Sequence, residues 1–192
     1  MKSFLLVSVL MASSAFPLNA GATTWLKTGG ATSKPYGHVA YCRGRASDCR
    51  AHGGSGRLAP NRMSVLQAVN SSVNRSIKPV SDLQLHGKRE VWSFPASAGD
   101  CEEYALSKRA ALLRRGYRPG DLLIAVGNKR GERHAVLVVR TSEGDFVLDN
   151  MEDSVLPVRK AGMRFSKIQS PVDAGNWVRV TGKTRNPAAI FK

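Results

Sequence analysis

Residues 99–116 read GDCEEYALSKRAALLRRG, and the reading of this stretch decides the fold. Gly99-Asp100 opens a helix that runs from Cys101 to about Arg115. Asp100 suits the N-cap, Glu103 three residues later completes a capping-box-like pattern, and Gly116 is a stop. Tyr104, Ala105, Leu112 and Leu113 supply its core contacts. Upstream, Met63, Leu66, Val69, Val73 and Ile77 recur at three- and four-residue steps, which predicts an amphipathic helix ended by Lys78-Pro79. Downstream come three strand signals: Leu122–Val126, the Val-rich His134–Arg140, and Phe146–Asp149. Turns at Asn128–Gly131 and Glu143-Gly144 separate them. Val155–Val158 and Trp177–Thr181 add further strands. Helix, helix, then an antiparallel meander predicts an α+β domain, with N-terminal helices packed on an antiparallel sheet.

The remaining segments carry less periodicity. Thr23 to Pro60 is rich in Gly, Ser and Arg and reads as loop-dominated surface structure. Val80 to Ala98 is looser, with Trp92, Phe94 and Pro95 as packing anchors. At the start, Met1-Lys2 precedes an apolar run from Phe4 to Phe16 and a small-residue ending at Ala20-Gly21-Ala22. That pattern describes a secretory signal peptide over residues 1–22, whose apolar run is too short to span a bilayer, with residues 23–192 as one domain. No later apolar stretch is long enough to span, so the expected location is the periplasm or outside the cell.

The 192 residues include 29 Lys plus Arg against 14 Asp plus Glu, a net charge of +15. Such a balance favours polyanions: nucleic acid, anionic headgroups or acidic proteins. The basic pairs Lys88-Arg89, Lys108-Arg109, Arg114-Arg115, Lys129-Arg130 and Arg159-Lys160 are dispersed, with no aromatic interleaving and no nucleic-acid module. They read as solvated surface or as affinity for an acidic substrate, and specific nucleic-acid binding is not expected.

Three cysteines leave one thiol over. Cys42 and Cys49 lie close enough in sequence for a local disulfide in an oxidising compartment; the rival is a metal site with His38 and His52. Cys101 lies at the first residue of the expected helix, where free backbone N–H groups and a partial positive charge favour a thiolate and a developing oxyanion. The alternative is a buried structural cysteine. A nucleophilic thiol needs a base, and the base an orienting acceptor. His38, His52 and His86 fall in loop-like segments, whereas His134 starts a strong strand, and Asp149 ends the neighbouring one. Otherwise His134 is a core residue and Asp149 caps a turn. A tight turn centred on Glu143-Gly144 sets His134 opposite Asp153, on the same face as Asp149 but about 13 Å along the strand from it. Contact between His134 and Asp149 therefore requires a bulge, strong twist or a differently placed turn.

Gly99-Asp100-Cys101-Glu102-Glu103-Tyr104-Ala105, then His134-Ala135-Val136-Leu137, then Val147-Leu148-Asp149-Asn150 resemble the bacterial transglutaminase-like cysteine peptidases, the LapG-like periplasmic proteases among them. Pro35-Tyr36-Gly37, Val69-Asn70, Val73-Asn74, Gln169-Ser170-Pro171 and Trp177 extend the resemblance over most of the chain. It implies a papain-like/transglutaminase-like core and a Cys101–His134–Asp149 triad that hydrolyses peptide bonds. It implies a protein substrate, such as an acidic surface protein or adhesin, and calcium held by Asp100 and Glu102. Glu103 stands where the family more often has Asp. An indole N–H from Trp92 is the upstream candidate for an oxyanion donor, against core packing. The competing readings are acyl transfer to an amine, and a non-enzymatic basic envelope-binding domain with a vestigial triad.

Overall fold

The central strands are apolar without alternation because both of their faces are covered. In the computed structural model, which describes residues 24–52, 62–95 and 97–182, the elements follow in order. They are β1 (Lys27–Ala31), α1 (Tyr36–Gly44), α2 (Met63–Ser76), β2 (Lys78–Pro79), α3 (Asp82–His86), β3 (Ala98–Gly99) and α4 (Cys101–Leu113). Then come β4 (Leu122–Lys129), β5 (Glu132–Thr141), β6 (Gly144–Asp149), β7 (Glu152–Pro157), β8 (Met163–Gln169) and β9 (Trp177–Thr181). The expected signal peptide, residues 1–22, lies outside the described residues. Seven strands form an antiparallel sheet in the order β1-β9-β8-β4-β5-β6-β7. On one face Leu122, Ile124, Leu137 and Leu148 meet Leu66 and Val69 of α2 and Leu106 and Leu112 of α4. On the other, Leu123, Ala125, Val136 and Val147 pack with Val158, Met163 and Ile168. No helix among the described residues is long and apolar enough to cross a membrane.

This is the expected mixed architecture of helices and antiparallel sheet, with three corrections. The segment read as loop-dominated contains β1 and α1. Helix α1 buries Gly37, His38 and Tyr41, so its inward face is small, polar and aromatic, with no aliphatic stripe to announce it. Gly37 is obligatory there: a Cβ would sit 2.3 Å from Trp92 Cδ1. Strand β8, MRFSKIQ, gave no signal because its middle residues face solvent, yet it inserts beside β4 and extends the meander into a wider sheet. Finally, Lys108 and Arg109 are not surface residues. Helix α4 is enclosed on nearly every side, Lys108 Nζ lies 5.7 Å from the Tyr104 ring centroid, and Arg109 Nε donates to the Leu122 carbonyl at 3.1 Å. Burial pushes the Lys108 ammonium down to about 7, against the attraction of Asp149 and Asp153.

Candidate active site

The start of α4 is held by its own acids. Glu103 reaches back to the Asp100 amide (3.1 Å) and also accepts the Ser93 amide (2.8 Å), the capping contact that its spacing predicts. A two-stranded parallel ladder, Lys78–Pro79 on Ala98–Gly99, fixes the approach of the chain to Asp100. Glu103 is thereby committed to backbone donors. Asp100 and Glu102 flank the thiol instead, and the Cys101 Sγ–H donates to Glu102 Oε2 at 2.9 Å.

Across from the helix, the sheet brings His134 and Asp149 together. His134 Nε2 and Asp149 Oδ1 are 2.7 Å apart, and both side chains are buried. The register explains the contact. Thr141 pairs with Gly144, so the turn is Ser142–Glu143, one residue earlier than a turn centred on Glu143-Gly144. Continuing the Leu137–Leu148 ladder sets His134 opposite residue 151, two positions from Asp149 rather than four. Diagonal neighbours at that offset lie about 7–8 Å apart, within reach of an imidazole and a carboxylate. A register shift between Val147 and Asp149 adds local twist.

Asp149 is clamped from three further sides. Lys129 Nζ donates to Oδ2 at 2.5 Å, the Met151 amide donates to Oδ1 at 2.9 Å, and Asn74 of α2 donates to its carbonyl at 3.1 Å. Asn70 holds the carbonyls of Glu152 and Asp153 just beyond. Burial would raise the Asp149 carboxyl, but the hydrogen bond and charge of His134, with the Lys129 and Met151 donors, hold it well below the usual carboxylate range. Lys129 was read as part of a turn and of a solvated basic pair. In the structure β4 runs on through it and it is buried beside Asp149. Only the period-2 spacing from Leu123, Ala125 and Gly127 hinted at this.

Cys101 and His134 line one cleft of about 910 Å³, between the start of α4 and the ends of β4, β5 and β8. The Ala135 backbone amide, next to His134, faces the Cys101 sulfur. The described hydrogen bonds include none between Cys101 and His134. Gly127 pairs with His134 across β4 and β5, and any Cβ there would meet the Arg164 carbonyl at 2.1 Å. Burial, then the Glu102 carboxylate, push the thiol far above its ordinary value, and the Ala135 amide works the other way. Burial and the neighbouring Asp100 likewise raise Glu102. The helix terminus is thus outweighed by the acids beside it. Ligand atoms of Asp100, Cys101 and Glu102 fall within 4.8 Å of one another, as do those of Asp82, Asp100 and Glu103. Asp82, from α3, carried no signal in the sequence. One oxygen each of Asp82 and Asp100 is buried without a hydrogen-bond partner.

The other expected features separate cleanly from the cleft. Cys42 and Cys49 are joined as a disulfide. Their metal-binding rival does not form: His38 approaches both sulfurs, and His52 is not in that cluster. Trp92 packs edge-on against His38 and Trp177 in the core.

Residues 28–185 match the sequence pattern described as bacterial transglutaminase-like cysteine proteinase BTLCP, Peptidase_C93. Among solved structures the fold is similar to calcium-bound Legionella pneumophila LapG. The TM-score is 0.53 at 19% identity, over 67% of this chain and 74% of that one. Legionella pneumophila LapG is also matched at TM-score 0.48 and 23% identity, over 55% of this chain and 62% of that one. No curated protein sequence matches significantly. With the family pattern spanning most of its length, the chain belongs to the bacterial transglutaminase-like cysteine proteinases and is a cysteine peptidase of that class.

Proposed function

We propose that the chain hydrolyses peptide bonds with Cys101 as nucleophile, His134 as proton carrier and Asp149 as the group that orients it. The observation that carries this reading is the buried 2.7 Å pair of His134 and Asp149, in a cleft shared with a thiol at a helix start. Asp149 engages Nε2, which leaves Nδ1 to take the thiol proton. The thiolate attacks the scissile carbonyl, and backbone N–H groups at the start of α4 receive the developing oxyanion. His134 then protonates the leaving amine. Water, deprotonated by His134, opens the thioester and restores the thiol. Lys129 and the Met151 amide keep the carboxylate aimed at the ring. Cys101→Ala is expected to abolish cleavage while leaving the thermal midpoint within a few degrees. With calcium present to offset the carboxylates beside the thiol, iodoacetamide is expected to alkylate Cys101 near pH 6 faster than a free thiol; surviving cleavage, or unexceptional alkylation, sinks the mechanism.

Calcium belongs to the same reading. Legionella pneumophila LapG is described in calcium-bound and EGTA-treated forms. Here the fit rests on the chain itself: Asp100 and Glu102, with Asp82 beside them, offer oxygen donors only, and two of those oxygens lack partners. Such a set suits a hard cation. When bound, the ion supplies positive charge to carboxylates that otherwise oppose thiolate formation. A chelator is expected to lower both thermal stability and activity, with calcium restoring them; indifference to chelation removes the ion. The substrate is a protein, such as an acidic surface protein or adhesin. Residues 1–22 act as a secretory signal, and residues 23–192 form one domain in the periplasm or outside the cell. The Cys42–Cys49 disulfide supports that location. The intact mass of protein recovered from the envelope checks it: retention of residues 1–22 overturns it.

A further inference from the structure

The charges of the cleft are sorted by element. Its acids come from the helical side: Asp82 of α3, Glu90 after it, and Asp100 and Glu102 at the start of α4. Its bases come from the sheet and the segment before α1: Arg133 on β5, Arg164 and Lys167 on β8, and Lys34. Asn128 of β4 pairs with Arg133 on one side and Arg164 on the other, so the two arginines flank it in one row across three strands. Paired residues share a face of the sheet. Two of the four cations are occupied. Arg133 pairs with Glu90 at 3.2 Å, and Lys167 donates to the Ser33 carbonyl and hydroxyl at 2.9 Å. That Ser33 contact ties Lys34 to the β8 wall. Lys34 and Arg164 have no ion pair or side-chain hydrogen bond among the described residues.

Resting on the thiol-protease reading, we propose that Lys34 and Arg164 form a subsite for an acidic side chain of the substrate, next to the apolar lining of Val126 and Phe165. The register sets its distance from the chemistry. Ala135, whose amide faces the Cys101 sulfur, pairs with Val126; Arg164 lies two residues along and two strands across. At about 3.3 Å per residue and 4.8 Å per strand the offset is about 12 Å, the length of three to four extended residues. An Asp or Glu that far from the scissile bond reaches the guanidinium, which accepts a planar carboxylate in two parallel hydrogen bonds. The acids around the thiol repel the same side chain, so the peptide is held in one direction. The chain's net charge of +15 draws acidic segments in.

The test uses the full-length secreted protein with calcium present. A library of decapeptides of known sequence is digested and the cut sites are read by mass spectrometry. Cleaved peptides are expected to carry Asp or Glu three to four residues from the cut. Replacing that Glu by Gln in a matched pair is expected to lower kcat/KM about tenfold, mostly through KM, and the ratio is expected to shrink as salt rises. In the double variant Lys34→Gln, Arg164→Gln the ratio between the matched peptides is expected to fall to about one. With Arg164→Glu the preference is expected to move towards peptides bearing Lys at that position. Equal cleavage of acidic and amide peptides, or a preference that persists in the double variant, overturns the subsite and leaves the thiol mechanism standing. Failure to cleave any peptide overturns both.

Discussion

Two histidines in this molecule are almost equally buried, His38 at 1% exposure and His134 at 7%, yet their surroundings give them opposite chemistry. The Trp177 indole donates to His38 Nδ1 at 3.2 Å, while His38 Nε2 lies 3.1 Å from the Gln169 side-chain amide nitrogen and 3.5 Å from the Cys42 sulfur. Two tryptophan rings pack edge-on against it and no carboxylate is in contact. Burial, with Lys34 and Arg109 nearby, drives its pKa down to about 4. His134 instead has the Asp149 carboxylate at 2.7 Å, itself braced by Lys129. Burial alone makes a histidine a neutral packing group. A buried, clamped carboxylate is what turns one into a group that can take up a proton and be held for it.

The strongest way to break this contrast is to remove each ring in turn. His134→Ala is expected to lower kcat by about 10³–10⁴-fold while the protein stays folded. His38→Gln is expected to lose stability and keep its peptide-bond chemistry at low temperature. Steady-state kinetics beside thermal melts decide it, and a His38 variant that is stable but inactive would reverse the assignment.

The candidate site was more legible in the sequence than its supports. Cys101 was marked by a helix start, His134 by a strong strand, and Asp149 by an acid stranded in an apolar run. Their meeting was not legible, because moving the turn by one residue changes the His134–Asp149 offset from four residues to two. Lys129, Lys108 and Arg109 were misread because composition treats every basic pair as surface. Burial here follows from β4 running on past the expected turn and from α4 being enclosed. Helix α1 was missed because its packing runs through Gly37 and His38 against tryptophan rings, contacts that leave no aliphatic period. Asn70 and Asn74 belonged to the resemblance, but their task, holding the backbone after β6, appears only in three dimensions.

The acid response sharpens the same comparison. An unfolded histidine titrates near 6.5 and folded His38 near 4, so between those values the unfolded state binds more protons. Stability contributed by neutral His38 is therefore present above pH 6.5 and lost as pH falls towards 4, by roughly 3 kcal/mol. Urea denaturation of wild type and His38→Gln at pH 7 and pH 4 reads this directly. The wild-type advantage is expected to shrink by about that amount, and parallel curves would refute it. Breaking the neighbouring Cys42–Cys49 disulfide by Cys→Ser at both positions is expected to cost about 2–3 kcal/mol. It should leave the alkylation rate of Cys101 unchanged, because that thiol belongs to the other histidine's region.

The smallest expected effect asks whether Lys129 belongs to the His134 region as a positioning residue or merely as a buried ion pair. Its ammonium reaches the Asp149 oxygen that His134 does not use, and it touches neither Cys101 nor the ring. Lys129→Met removes the charge while keeping the apolar stem, which limits the packing change. If Lys129 aims the carboxylate, kcat falls about tenfold with KM unchanged, as expected for a residue that holds a catalytic side chain in place. Lys129→Arg, which can still donate to Oδ2, is expected to recover most of the rate. A merely structural pair would lower the melting temperature of Lys129→Met and leave kcat where it was.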